Sequence, residues 1–190
     1  ACEMVAEILQ YFDDNIRIRN VEADSLYAGI MVDTDNFQTK TGVRTFEAAA
    51  FLRRYGADTT RIRKMFREKM VDYRARGEAI SNAELFLSAY AISECPSEGI
   101  DSPTIVGAQA ANELLNVVGV RASFVLTLFN DTVYISARAI DEVNVQIIME
   151  RLGGGGHMNV AGAQMRGKTI QETKTILKET LQEMINGGDI

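Results

Sequence analysis

A run of four glycines followed by a histidine constrains this chain more than any other feature. The run consists of Gly153, Gly154, Gly155, Gly156 and His157. Glycine has no side chain to pack, and keeping such residues ordered costs roughly 0.4–1 kcal/mol of extra backbone entropy per residue. A fold that orders this run must therefore offset that cost.

The glycine run has two interpretations. A backbone without Cβ atoms can approach an anionic ligand closely and direct several N–H groups at it, as glycine loops around phosphates do. His157, the single histidine of the chain, would then stand beside the ligand. The alternative is a flexible hinge with an incidental surface histidine. Small residues continue at Ala161, Gly162 and Ala163, whereas a linker normally turns polar. The flanking sequence favours the ligand-binding loop.

The composition and net charge of the chain exclude some classes of ligand. The chain has 190 residues, enough for one large domain or two small ones, and 46% of them are hydrophobic, as in a soluble globular protein. Its net charge of −6 argues against a module that binds long duplex nucleic acid, which needs a basic face. Small nucleotides remain compatible with this charge.

Cys2 and Cys95 lie far apart, without the spacing of a metal site or a disulfide framework. We interpret both as free thiols in a reducing compartment. No apolar run approaches the ~20 residues that span a bilayer, and no signal-peptide pattern opens the chain. Because the first residues already resemble the middle of a folded protein, we expect a piece of a longer polypeptide.

Four helices are predicted in the first part of the chain, since apolar residues recur there at i, i+3, i+4 and i+7. Thr45 is the predicted N-cap of the third helix and Gly56 its end. Basic residues are interleaved in the fourth helix and could contact phosphates, although such a run is commonly a solvated face. The predicted core faces are Val5, Ile8, Leu9 and Phe12; Ala23, Leu26, Tyr27 and Ile30; Ala48, Phe51, Leu52 and Tyr55; and Ile62, Phe66, Met70 and Tyr73.

Acidic residues follow the second predicted helix at Asp33 and Asp35. An aspartate held by a preceding buried element is well placed to bind a divalent metal ion. The alternative is that Asp33, Asp35 and Asn36 end the helix and form a turn. The sequence leaves both readings open.

From Arg76 to Leu87 the periodicity weakens, and we place the join between two lobes there. A strand is predicted at 90–93, and Ser102 with Pro103 opens a helix that ends near Gly119. Apolar residues then alternate over 124–128 and 133–137, on either side of a turn at 130–131. This pattern predicts a β-hairpin.

The return strand of that hairpin has a polar face that ends at Arg138. Arginine is well shaped for bidentate contact with phosphate, although strands also end in arginine for solubility. A helix capped by Asp141 then leads into the glycine run, so one strand–helix–loop unit could bring Arg138 and His157 to the same end of the sheet. Thr169 and Glu172 form a capping box for a closing helix.

Four segments together resemble a known family: AGIMVDTDNF at 28–37, TFEAAAFLRRYGAD at 45–58, SAR at 136–138 and GGGGHMNVAGA at 153–163. They are similar to the DHH phosphoesterase family joined to its DHH-associated C-terminal domain. Within it, the chain most resembles the membrane-anchored bacterial phosphodiesterases that hydrolyse cyclic di-AMP. The fold implied is α/β: the helical end of a DHH lobe at 1–80, followed by a small mixed-sheet substrate-binding lobe at 85–190.

The resemblance also implies roles for single residues. Asp33 matches a metal ligand of the family, which uses a pair of manganese ions. The glycine loop and His157 match the segment that binds the nucleotide's phosphate or base, and Arg138 matches the arginine of the preceding strand. Asn159, in the same motif, completes the candidate substrate contacts.

One departure limits what this chain could do alone. The DHH triplet that names the family is absent, and one histidine cannot supply the family's metal site. We therefore expect no complete catalytic set and no bound manganese pair in this piece, which would be soluble and belong to a parent at the cytoplasmic face of the membrane. The expected partner is a cyclic dinucleotide or a short oligonucleotide, and a homodimer is also compatible. The alternatives are an oligonucleotide-degrading phosphoesterase of the same family and a nucleic-acid-binding module without catalysis.

Overall fold

The structure, a computed structural model, describes residues 1–12, 16–140 and 142–190. It contains two compact units, Ala1–Arg67 and Glu68–Ile190. The first unit is helical, and the second is built on a six-stranded mixed sheet. The predicted α/β class is therefore confirmed.

The first unit contains the helices α1 (Cys2–Phe12), α2 (Asn20–Asp33), α3 (Val43–Arg54) and α4 (Thr59–Met65). The predicted faces of α2 and α3 do pack into its core, where Ala23, Ile30 and Leu52 are buried. Gly42 rather than Thr45 is the N-cap of α3. Thr45 lies three residues into the helix, where its Oγ1 accepts a hydrogen bond from the Gly42 N–H at 3.1 Å.

The predicted core face of α1 was wrong at three of its four residues; the fourth, Leu9, is half-buried and packs against the core of this unit. Val5, Ile8 and Phe12 are 43%, 59% and 76% exposed, and Ala6 is the residue that α1 buries. Ala6 allows close approach of the neighbouring helices, and Val5, Ile8 and Phe12 point away from the core of this unit.

The fourth predicted helix is in fact two helices. The carboxylate of Asp58 caps α4 by accepting from the N–H groups of Thr60 and Arg61 at 2.7 and 3.0 Å, and α4 ends at Met65. The next helix, α5 (Met70–Ser81), belongs to the second unit. The units therefore divide before α5 rather than in the 76–87 region, because Ala75 and Ala79 of α5 pack into a cluster of the second unit.

The second unit continues with β1 (Glu84–Phe86), β2 (Tyr90–Cys95), α6 (Pro103–Leu114), β3 (Ala122–Phe129), β4 (Thr132–Ala139), α7 (Val145–Arg151), β5 (Gly155–His157), β6 (Val160–Arg166) and α8 (Ile170–Gly187). The strand order is β1-β2-β3-β4-β6-β5. β2 and β3 pair in parallel, and every other neighbouring pair is antiparallel. The predicted hairpin is β3–β4, with Asn130 and Asp131 in left-handed conformations at its turn.

The two faces of the sheet have different coverings. One face, which includes Phe124, Leu126 and Ile135, packs against α7 and α8. On the other face, Ala91 and Val125 pack against α5 and α6. These two helices cover β2 and β3, whereas the β6 residues on the same face remain exposed or half-buried. Part of the second face is therefore open.

Three local predictions differ from the structure. The helix opened by Pro103 ends at Leu114 rather than near Gly119. The predicted cap Asp141 lies outside the described residues; Asn144 caps α7, its side chain accepting from the Gln146 N–H at 3.0 Å. The glycine run forms an edge strand and its approach rather than a loop. The capping box of α8 is confirmed, with Thr169 Oγ1 accepting from the Glu172 N–H at 3.2 Å.

Within the described ranges, none of the helices is long and apolar enough to cross a membrane.

Candidate functional site

The open part of the sheet, which we call the open strip, lies beside α6 on β4, β6 and β5. Strand register defines it, because directly opposed residues of antiparallel strands point to the same face. Ser136 lies opposite Val125, which packs against α6, so this face of β4 is the α6 side. The rows of the open strip are Tyr134 and Gln164; Ser136, Gly162 and Gly155; and Arg138, Val160 and His157.

The third row joins two of the predicted residues. Arg138 and His157 lie opposite Val160 from either side. Adjacent strands are about 5 Å apart, so the two backbones are roughly 10 Å apart across the strip. The prediction that one strand–helix–loop unit brings Arg138 and His157 to the same end of the sheet is therefore confirmed.

Three of the four glycines are required by the fold itself. Gly153 follows α7 with a φ of +76°, a conformation that favours glycine. A Cβ on Gly154 would lie 2.1 Å from the carbonyl oxygen of Gly162, and one on Gly156 would lie 2.5 Å from Cα of Ala161. Both positions therefore let this segment pack closely against β6.

Gly155 has no such structural reason. A Cβ at this position would meet no atom within 4 Å, and its φ is not in the left-handed region. Gly155 lies opposite Gly162 in the middle row, so the two make a section of the strip without side chains. The fold would therefore accept a side chain at Gly155.

A cavity of about 460 Å³ lies over this bare section. Tyr134, Ser136 and Gln164 supply polar side chains from the sheet, and Thr104 supplies one from the start of α6. The glycines at 153–155 also line it. Such a mixture of backbone and a few polar side chains suits a small polar ligand.

Arg138 does not line this cavity; it lies in the next row of the open strip, where it is half-buried and held by two hydrogen bonds. Its Nε–H donates to Oδ1 of Asn112 on α6 at 2.9 Å, and its Nη1 donates to the carbonyl of Ala137 at 2.9 Å. Burial lowers the pKa of the Arg138 guanidinium below its ordinary value. The group nevertheless stays charged in a protein, so it offers a fixed, partly desolvated positive charge.

His157 and Asn159 are both exposed. His157 ends β5, and Asn159 lies in the turn to β6, where its carbonyl accepts from the Ala139 N–H at 3.0 Å. That bond ties the turn to the end of β4 that carries Arg138. The side chains of His157 and Asn159 are accessible to a ligand at the third row of the open strip.

Some residues of the strip were absent from the sequence-based set. Gln164 becomes apparent only once β6 is recognised as a strand, since alternate residues of β6 share a face. Thr104 and Asn112 reach the strip from α6, and their placement depends on where that helix packs. Nothing in the sequence indicates that packing.

Asp33 belongs to the first unit, at the end of α2, with 63% of its side chain exposed. Thr34 holds the following turn: its Oγ1 donates to the Ile30 carbonyl at 2.7 Å and accepts from the Phe37 N–H at 3.0 Å. Asp35, Asn36 and Phe37 all have positive φ. The turn interpretation thus describes the local backbone, and the metal role of Asp33 stays a prediction.

The described residues do not fit a metal pair. Two ions about 3.5–4 Å apart need several shared ligands. In the described part of the chain, no group of three or more His, Cys, Asp or Glu residues could hold even one ion. Asp33 alone is too little for such a site.

A known domain family matches the part of the chain that contains the open strip. The model of the DHHA1 domain matches residues 89–186, just over half of the chain. The chain belongs to the DHHA1 domain family. The matched range contains Arg138 and the whole glycine segment, so the open strip lies within the DHHA1 domain.

Curated relatives extend the similarity beyond the DHHA1 domain. The chain is 42% identical over 187 residues to the cyclic-di-AMP phosphodiesterase GdpP of Geobacillus thermodenitrificans, covering 98% of this chain and 28% of the relative. It is 40% identical over 173 residues to the cyclic-di-AMP phosphodiesterase PdeA of Listeria monocytogenes, covering 90% of this chain and 26% of the relative. The chain thus spans little more than a quarter of their length.

A solved structure supports the fold of the DHHA1 domain and the helices before it. An exopolyphosphatase-related protein from Bacteroides fragilis aligns with a TM-score of 0.84, over 96% of this chain and 56% of that one. Its sequence identity is 21%. This likeness concerns the fold alone.

Proposed function

We propose that this chain is the substrate-binding part of a phosphodiesterase that hydrolyses cyclic di-AMP to a linear dinucleotide. The observation that carries the proposal is the third row of the open strip, where Arg138 and His157 flank the strip next to a glycine that the fold does not require. The identity to two cyclic-di-AMP phosphodiesterases supports the choice of substrate.

The chemistry of the strip matches a dinucleotide. A guanidinium with free donors binds a phosphodiester oxygen, and the charge-assisted bond is stronger in a partly desolvated site. The bare backbone at Gly155 and Gly162 admits a phosphate or the flat face of a base, while Tyr134 and Gln164 offer polar contacts further along the strip. These groups bind and orient the substrate; none of them is assigned a role in bond cleavage.

Cleavage itself requires groups outside this set. Within the longer protein, Asp33 would contribute one ligand to a manganese pair, as the family resemblance implies. Because the described residues do not form such a site, no step of the reaction is assigned to this chain. The longer protein would be anchored at the cytoplasmic face of the membrane.

The test is calorimetric titration of the chain with cyclic di-AMP and with the linear adenine dinucleotide. We expect binding of at least one form, and Arg138→Ala should weaken it by roughly tenfold or more, since a hydrogen bond to a charged group contributes about 1.5–3 kcal/mol. His157→Ala should weaken it less, because its side chain is exposed. Comparing the two forms also separates a cyclic from a linear oligonucleotide substrate.

Arg74→Ala is a matched control, because Arg74 is an exposed arginine on α5. It removes the same charge, and binding should not change. An equal loss of dinucleotide affinity in the Arg74 and Arg138 variants would show that only net charge matters. That result would contradict the proposal. We also expect no hydrolysis by the chain alone, so robust manganese-dependent turnover would refute the assignment of catalysis to groups outside it.

A further inference from the structure

Asn112 has no role in the proposed ligand contacts, yet its side chain forms a hydrogen bond with Arg138. Its Oδ1 accepts the Nε–H of Arg138 at 2.9 Å. Asn112 is on the sixth helix and Arg138 on the fourth strand, 26 positions apart in the chain. The contact therefore links the helix beside the open strip to the charged group at its end.

Two hydrogen bonds to described residues use part of the Arg138 guanidinium. Arginine has five N–H donors in a planar fork. Nε–H is taken by Asn112, and one Nη1 donor is taken by the carbonyl of Ala137. Among the described residues, one donor on Nη1 and two on Nη2 have no hydrogen-bond partner. One Nη2 donor lies on the same edge as Nε–H, and the other lies beside Nη1 on the terminal edge of the guanidinium, the edge that suits two parallel bonds to a phosphate.

Asn112 is not explained by the needs of its helix. It is exposed, two residues before the end of α6. Asparagine is among the less favourable residues in a helix, so alanine at an exposed helical position would be more stable. An exposed asparagine here is unfavourable for the helix but supplies an acceptor for Arg138.

We propose that Asn112 is a positioning residue for ligand binding, which fixes the guanidinium of Arg138 with its terminal edge toward the open strip. This inference rests on the proposed binding of a dinucleotide by Arg138. Without the acceptor, Arg138 would sample other rotamers, and the ligand would have to immobilise it. Ordering one such side chain costs about 0.5–1.5 kcal/mol, which corresponds to a loss of affinity of roughly two- to twelvefold.

The first measurement needs no ligand. NMR of the arginine Nε–H groups in the 190-residue chain reports how well Arg138 is held. We expect a protected, slowly exchanging Arg138 Nε–H in the unmodified chain and in Asn112→Asp, which keeps an acceptor oxygen. In Asn112→Ala, exchange should accelerate to the rate of an exposed arginine. An unprotected Nε–H in the unmodified chain would overturn the proposal whatever the chain binds.

The second measurement is titration with the linear adenine dinucleotide. Asn112→Ala should bind about fivefold more weakly, within the range above, while its melting temperature stays equal or rises. In an Arg138→Ala background, Asn112→Ala should have no further effect, because the group that it positions is gone. Equal losses in both backgrounds would show that Asn112 acts independently of Arg138 and would overturn the proposal.

Asn116→Ala provides the control, since Asn116 is exposed in the turn after the same helix and its side chain has no hydrogen bond in the described residues. It should change neither binding nor Arg138 exchange. If the unmodified chain binds no dinucleotide but its Arg138 Nε–H is protected and released in Asn112→Ala, the proposed function fails while the contact stands. If binding is normal and Asn112→Ala leaves it unchanged, the positioning role fails and the proposed function stands.

Discussion

The glycines of the run at 153–156 lie in different surroundings, so glycine is present at these positions for different reasons. Gly154 and Gly156 approach the backbone of β6, and Gly155 faces open space. Sequence alone presents four equivalent residues. These surroundings predict that substitution by alanine has different effects on stability at Gly154 and at Gly155.

We expect Gly154→Ala to lower the free energy of unfolding by about 1–3 kcal/mol, the usual range for overpacking, because its Cβ would meet backbone rather than a flexible side chain. Gly155→Ala should leave stability unchanged or raise it by up to about 1 kcal/mol through the unfolded state. The same Gly155 variant should bind the dinucleotide roughly tenfold more weakly, since the methyl group enters the open strip. Urea denaturation and calorimetric titration measure the two effects.

Gly77→Ala on α5 is the matched control, because a Cβ there also meets nothing within 4 Å. It should stabilise the chain, by about 0.5–1 kcal/mol for glycine in an exposed helix, without changing binding. A Gly155→Ala variant that binds as well as the Gly77 control would remove the reason to place a ligand at Gly155.

At the level of elements, a buried carboxylate joins α2 to α4. Asp24 is 6% exposed. It accepts from Arg61 Nε and from the Asp58 N–H, both at 2.7 Å. Arg61 also donates to the Gly56 carbonyl at 2.6 Å. Arg61 therefore has a structural role, although its sequence places it in a run that could contact phosphates.

We expect Asp24→Ala to destabilise the first unit by about 2 kcal/mol, since it removes hydrogen bonds to a charged group. The hydrogen bond from Arg61 holds the pKa of Asp24 below its ordinary value of 3.8. A carboxyl with a lowered folded pKa contributes stability that is present above the unfolded pKa and is lost as pH falls through the folded pKa. The unmodified unit should therefore lose stability below about pH 4, and the variant should lose less there.

Amide hydrogen exchange in α2 and α4 measures this effect within the first unit. Asp101→Ala is the comparison, because its ion pair with Lys69 is exposed on both sides; exposed pairs contribute little, so exchange should barely change. Equal protection of α2 and α4 in Asp24→Ala and the unmodified chain would contradict the structural role of Asp24.

At the level of the whole molecule, the second unit contains both layers of its own core. One hydrophobic cluster lies between the sheet and the helices α7 and α8, and the other lies between the sheet and the helices α5 and α6. The open strip and its cavity also belong to this unit. Its boundary at residue 68 therefore matters for what can fold and bind by itself.

We expect residues 68–190 alone to unfold cooperatively and to bind the adenine dinucleotide within about twofold of the 190-residue chain, because both clusters and every assigned contact are retained. A version that starts at residue 85 should be less stable, since it lacks α5 and the packing of Ala75 and Ala79. Circular dichroism melting and titration compare the three chains. Loss of binding in the 68–190 version with its fold intact would mean that the first unit contributes to the site.

Elements with local signals could be predicted from the amino-acid sequence. The i, i+3, i+4 spacing of α2 and α3, the alternation and tight turn of β3–β4, and the capping box at Thr169 are all set by neighbouring residues. The motif around the glycine run also pointed to the correct family and to Arg138 and His157 as members of one end of the sheet.

Where those elements meet depends on packing between residues that are distant in the chain. The break between α4 and α5, the strand pairing of the glycine run with β6 and the contact between Asn112 and Arg138 all join residues through packing. Hydrophobic spacing marks which side of a helix is apolar but not what covers it, which is why the exposed face of α1 was taken for core. Similarly, four identical glycines acquire different roles only when a second strand approaches them.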